Sequence, residues 1–267
     1  MRLMFRKRVV HAGRAKAFFV ILAGALTLVR TLAAQEPVRV AYECTEDDAN
    51  ALGLTCTMED PCPVFLELAS AEAAGGRLLA AGNLHTKNVT LYGIVLASED
   101  NGVTWTEAHE RIRAAAVEQI EFIDLQTGWI NGESIDPLAR NPFFLLTTDG
   151  GRTWRQKLVV EDAKFGTIAQ FHFDTPSHGE LVLDASQGTN VRQELYETMT
   201  GGEGWELKQV NHAPIHLKNA RGPNQGTSQG VMRVRTDASS GTFVIERGGG
   251  KTWSRVASFA IHVADCQ

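Results

Sequence analysis

The sequence predicts an all-β chain, a small β-propeller of four, or five, four-stranded antiparallel blades. Three observations predict it. An octet ending in tryptophan recurs four times, with Trp105, Trp154, Trp205 and Trp253 spaced 49, 51 and 48 residues apart. A propeller blade occupies about 40–50 residues, so this period fits one blade. Between the octets, short alternating or wholly apolar stretches are separated by Gly-, Asp- and Pro-containing turns, which is the signature of strands.

In one full period, 115–123 reads as a first strand, 124–128 as a turn, 128–132 as a second strand, 142–147 as a third, and 154 onward as a fourth. Comparable sets fall at 63–109, 166–210 and 214–257. Helical periodicity is nearly absent. The exception is 45–52, where Thr45 and Asp48 have the spacing of a capping box.

The first 34 residues do not read as part of this fold. A basic start (Arg2, Arg6, Lys7, Arg8, Arg14, Lys16) precedes the apolar run Ala17 to Val29, and Ala33-Ala34 closes it with small residues. That order is the layout of a secretory signal peptide, and the thirteen apolar residues fall short of the roughly 20 that span a bilayer. The expected organisation is therefore a signal peptide at 1–34, an N-terminal closing segment with an acidic turn at 35–62, and the propeller at 63–267. The expected location is periplasmic or extracellular, with no membrane span after signal removal.

The leader holds 7 of the 26 basic residues and none of the 31 acidic ones, leaving the remainder at −12. A surface that acidic is ill suited to nucleic acid or anionic lipid. Cys44, Cys56, Cys62 and Cys266 are even in number in a chain expected to be exported, which suggests two disulfides rather than a zinc site. If all four pair within the chain, every connectivity ties Cys266 to the N-terminal segment. Cys44 is the favoured partner, because Val38–Tyr42 and Phe259–Val263 read as the two strands that close the ring.

The octets are Ser98-Glu99-Asp100-Asn101-Gly102-Val103-Thr104-Trp105, Thr147-Thr148-Asp149-Gly150-Gly151-Arg152-Thr153-Trp154, Thr198-Met199-Thr200-Gly201-Gly202-Glu203-Gly204-Trp205 and Glu246-Arg247-Gly248-Gly249-Gly250-Lys251-Thr252-Trp253. They resemble the Asp-box, Ser/Thr-x-Asp-x-Gly-x-Thr-Trp, of the BNR-repeat propellers. The first two match fully. The third puts Thr200 and Gly204 in place of Asp and Thr, and the fourth puts Glu246 and Gly248 in place of Ser/Thr and Asp. The carboxylate of such a box can accept bonds from nearby backbone N–H groups, its glycine takes a positive φ, and its tryptophan packs the hairpin onto the blade. The expected role is structural: these residues hold the hairpin and touch no ligand.

Residues 111–154, with Phe122-Ile123-Asp124, Gly128-Trp129, Gly132 and the second octet, resemble one blade of the photosystem II stability/assembly factor-like propellers. That resemblance implies a binding or scaffold role on an unidentified protein or glycan partner, through loops on one face. Sialidases share the box but need an arginine cluster, a Tyr/Glu pair and an Asp. Before the first octet only Arg39 and Arg77 remain after the leader. The Arg-x-Pro triplets at Arg140 and Arg221 come after it, and Tyr42, Tyr92 and Tyr196 are the available tyrosines. A divergent sialidase-like glycoside hydrolase is therefore the alternative, requiring two carboxyl groups about 5–9.5 Å apart across a cleft.

Weaker constellations are His212 with His216, separated by Pro214; His172 and His178 around Asp174; the acidic clusters Glu46-Asp47-Asp48 and Glu59-Asp60; and the sequon Asn88-Val89-Thr90. Each reads more simply as loop or surface. No glycine-rich loop has phosphate-binding spacing, and neither cofactor nor metal is expected.

Overall fold

The structure, a computed structural model, describes residues 36–135, 139–221, 231–249 and 251–267. The proposed leader and Gly250 lie outside the described residues. The apolar stretches fold as antiparallel meanders. The first sheet contains β1 (Cys62–Ala74), β2 (Arg77–His85), β3 (Thr90–Ser98) and β4 (Thr106–Glu107), with β5 (Ile112–Arg113) also on β3. The second is β6 (Ala115–Phe122), β7 (Gly128–Ile135), β8 (Ala139–Thr147) and β9 (Arg155–Leu158). The third is β10 (Thr167–Phe173), β11 (Gly179–Asp184), β12 (Gln193–Thr198) and β13 (Glu206–Asn211). The fourth is β14 (Val231–Asp237), β15 (Thr242–Gly249) and β16 (Thr252–Ala260), and β17 (His262–Cys266) returns to pair with β1. The protein is all-β and a β-propeller, and no helix among the described residues is long and apolar enough to cross a membrane.

Cores fill the spaces between neighbouring sheets. Leu66, Ile94, Ile245 and Phe259 join the first sheet to the fourth, and Leu79, Val95, Phe122 and Phe143 join it to the second. Between the second and third sheets Trp129 stacks on Phe173, their ring centroids 3.5 Å apart, and its indole N–H donates to the Gly201 carbonyl. Trp129 is 1% exposed, more deeply buried than any of the four octet tryptophans.

The first two octets form the same closed turn between third and fourth strands. Ser98 Oγ accepts from the Gly102 amide at 2.8 Å, and Thr147 Oγ1 accepts from Gly151 at 3.0 Å. Asp100 takes the Thr104 amide and hydroxyl, and Asp149 takes those of Thr153. Burial alone would raise the Asp149 pKa, but these hydrogen bonds outweigh it and bring it down to about 2. Trp105 and Trp154 each donate to the box glycine carbonyl at 3.1 Å. In the third octet Thr198 still accepts from Gly202 and Thr200 from the Gly204 amide, while Trp205 Nε1 has no partner. Asp149→Ala is expected to cost about 1–2 kcal/mol of stability, since the Arg152 and Thr153 amides lose a charged acceptor. Thermal melting checks this, and an unchanged melting temperature would contradict the structural role.

The fourth octet departs from expectation. It lies on the β15–β16 hairpin, with Trp253 in the β16 ladder opposite Gly248. Glu246 is drawn into ion pairs with Arg233 and Arg235, and the Arg233 guanidinium sits 3.9 Å from the Trp253 ring centroid. With no acidic residue at the turn, cross-strand arginine contacts replace the box bonds. Within the period expected at 214–257, the described residues up to 221 are irregular. There Gln170 and Gln193 side chains hold the backbone of Ile215 and Leu217 in place of a ladder.

The closing segment differs too. Val38–Tyr42 is not a strand; only Val38 pairs, in a parallel bridge to Phe259. The acidic turn is a short helix, α1 (Glu46–Leu52), with the Thr45/Asp48 capping box formed and Gly53 at φ 64° ending it. The C-terminal stretch breaks at Ile261: β16 stays in the fourth sheet and β17 crosses to the first. The disulfides are Cys44–Cys266 and Cys56–Cys62, with Cys62 opposite Cys266 in the ladder.

Candidate functional site: a central cavity

The first strands of three sheets share a defect in their pairing. The register slips between Leu68 and Ser70 on β1, between Val117 and Ile120 on β6, and between Ile168 and Gln170 on β10. A β-bulge puts two residues against one and re-aims a side chain. Here the bulged residues Ala69, Glu118, Gln119 and Ala169 all line one cavity of about 490 Å³. Glu67, Asn83, His85, Thr90, Asn131 and Gln170 complete its polar lining.

Two glycines permit the bulges. A Cβ at Gly82, opposite Leu68, would lie 2.3 Å from the Glu67 carbonyl oxygen; one at Gly132, opposite Val117, would lie 2.5 Å from that of Ala116. Any side chain at either position would push the strands apart. The freed amides are capped by neighbours: Asn131 Oδ1 accepts from Gln119 N at 2.8 Å, and Ser70 Oγ accepts from Ile120 N. Asn83, on the first sheet, accepts from Val117 N at 2.9 Å and donates to its carbonyl on the second. These amides hold the lining rigid, which leaves the carboxyl groups as its principal hydrogen-bond acceptors.

Among the described residues that line the cavity there is no lysine or arginine. Glu118 still reaches solvent through the cavity mouth, yet desolvation by the cavity walls raises its pKa against the counteracting bond from Asn131, and the Glu67 charge raises it further. Glu133, two residues past Asn131, is 3% exposed and its Oε2 has no partner. Burial, with the Glu118 charge adding to it, pushes the Glu133 pKa up to about 8. A protonated carboxyl therefore stands beside Glu118 at neutral pH.

None of the described octet residues lines this cavity. Thr90 lines it from the start of β3, whereas the first octet begins at Ser98, the end of that strand, about 26 Å along an extended chain. The tyrosines weighed as nucleophiles are also elsewhere. Tyr42 and Tyr92 both donate to the buried Asp48, tying α1 to β3. Tyr196 donates to Glu194 at 2.7 Å, but the two are 4% and 0% exposed, and Glu194 is already paired with Lys164 and Arg192. Arg221 contacts Glu121 and the Phe122 carbonyl, and Arg77 pairs with Glu99.

His172, His178 and His212 are likewise absorbed. His178 bridges Asp174 and Glu197, His172 meets buried Glu121, and His212 bonds the Val191 carbonyl. No group of three metal-ligating side chains occurs among the described residues. Sequence reasoning missed Glu67, Glu118 and Glu133. The nearest signal was Gly132, a small residue in the middle of an apolar strand.

No family model matches the chain, and no curated protein matches it. Among solved structures it is similar to a polysaccharide lyase of the PL25 ulvan lyase family (TM-score 0.41, 8% identity, 78% of this chain and 54% of that one). It is also similar to an α-L-arabinanase from Penicillium chrysogenum complexed with arabinobiose (0.38, 15%, 75% and 62%). A third is the GH74 xyloglucanase from Xanthomonas campestris (0.35, 12%, 76% and 30%). The chain spans less than two thirds of each of these proteins. Scores of this size carry no argument about activity, so the site stands on its own geometry.

Proposed function

We propose that this chain is an exported Asp-box-type propeller that binds a neutral glycan in the central cavity. One observation carries the reading: three bulged strands turn Glu118, Gln119 and their neighbours into a preorganised pocket rich in acceptors and, among the described residues, without a lysine or arginine. Such a lining suits a ligand with many hydroxyl donors and no negative charge. Its volume is within the roughly 300–1,000 Å³ usual for small-molecule sites. Sialic acids and uronates would meet only like charge, so no sialoside turnover is expected. The two disulfides and the leader-like 1–34 support export, and the hydrogen-bonded octets support the Asp-box relationship.

Binding by titration calorimetry tests the reading. Neutral oligosaccharides should bind, sialyllactose and spermidine should not, and Glu118→Ala should weaken binding at least tenfold. Preferential binding of spermidine, or of an acidic sugar, would overturn it.

A second reading, glycoside hydrolysis, is favoured by the two carboxyls, Glu67 and Glu118, that line one cavity, with desolvation and the Glu67 charge raising the Glu118 pKa. Such chemistry needs one protonated and one ionised carboxyl, and environment sets which is which. Release of reducing ends from a bound neutral oligosaccharide, abolished in Glu118→Gln, would establish it. Tight binding with no release leaves the binding reading alone standing.

A further inference from the structure

Two more cavities open on the same rim as the central one. The first, about 560 Å³, lies between α1 and the β2–β3 hairpin, lined by Asn50, Ala51, Asn88 and Arg113 among others. Thr90 lines both it and the central cavity. The second, about 470 Å³, is lined by Phe165, Gly166, Thr167, Asp184, Ser186 and Gln187. Thr167 immediately precedes Ile168, which lines the central cavity. The α1 cavity thus meets the central one at Thr90, and the Phe165 cavity lies across the start of β10 from it.

Phe165 is the unusual residue among these linings. It is 51% exposed although it forms a bridge to Arg140, so its backbone is held while its ring faces solvent. Beside it Asp184 is kept ionised by bonds from Ser186, which lower its pKa. A fixed aromatic face next to polar acceptors matches the amphipathic surface of a sugar ring, whose C–H face stacks and whose hydroxyls donate.

We propose that the ligand is an extended neutral oligosaccharide that crosses this rim, with distal rings stacked on Phe165 and others lodged against α1. This rests on the glycan reading of the central cavity and specifies a chain in place of a single sugar. One cavity of this size holds a small ligand, and three that adjoin provide for several rings.

The test uses the full chain and a panel of linear oligosaccharides of one to six rings: 1,4-linked gluco-, xylo- and manno-, and 1,5-linked arabino-. Affinity in the best-bound series should rise at least tenfold from two rings to six. Phe165→Ala should remove most of that rise while leaving the dimer affinity and the melting temperature unchanged, and Phe165→Trp should preserve the rise. Ala51→Trp, which narrows the α1 cavity, should reduce hexamer binding without touching the dimer. Affinity independent of length, or a rise that survives Phe165→Ala, overturns the extended site while leaving the central one intact. A panel in which no series binds overturns the glycan reading and this inference with it.

Discussion

Replacing Cys44 and Cys266 with serine is expected to lower stability by up to about 5 kcal/mol, out of roughly 5–15 kcal/mol for a whole domain. The bridge spans 222 residues, and in the chain-entropy model the stabilisation grows with the logarithm of the loop it closes. The Cys56–Cys62 bridge spans only 6 and should contribute about 2 kcal/mol on the same basis. What remains at the junction is modest: the β17 pairing with Cys62 to Phe65 and the single bridge from Val38 to Phe259. Guanidinium unfolding of Cys44→Ser/Cys266→Ser against Cys56→Ser/Cys62→Ser measures the difference directly. Hydrogen exchange should also show Cys62–Phe65 and His262–Cys266 opening first in the former. Equal stability of the two double variants would contradict the clasp.

Glu133→Gln is expected to make the protein more stable at alkaline pH and to flatten its pH dependence. In the unfolded chain Glu133 releases its proton near the usual 4.5, but in the fold it keeps it until about 8. The folded state therefore binds more protons between those values, so stability is lost as pH rises through the window and the full penalty applies above it. At about 1.4 kcal/mol per pKa unit, the upper bound is about 5 kcal/mol. Desolvation raises the Glu118 pKa as well, so it contributes in the same direction. Glutamine keeps the size of the side chain without the charge. The gap between variant and wild type should be small at pH 4 and largest near pH 9, measured by urea unfolding. A gap that does not change with pH would remove Glu133 as the cause.

The parts legible in the sequence were those set by local chemistry. Trp105 and Trp154 end turns whose bonds run between residues four apart, and such spacing is written in the chain. The Thr45/Asp48 cap is equally local. The fourth octet misled because Glu246 found arginines on β14, one strand away and more than ten residues back. Val38–Tyr42 alternates like a strand, yet only Val38 meets a partner.

The site was illegible for a different reason. Glu118 and Gln119 read as ordinary polar residues of an alternating strand, and only a slip against Asn131 on β7 turns both toward the cavity. Glu133 falls just past the stretch 128–132 read as a strand, and its burial comes from the packing around it. Phe165 immediately precedes the 166–210 strand set, where no pattern marks it, and its ring faces solvent. Bulges and rim contacts are relations between strands, and no window of a single sequence contains them.

The most direct test is a crystal structure of the protein soaked with the tightest-binding neutral oligosaccharide. Sugar density is expected in the central cavity, with a ring hydroxyl donating to Glu118 and a further ring over Phe165. Density confined to the opposite rim, against the turns at Asp100 or Asp149, would contradict that placement.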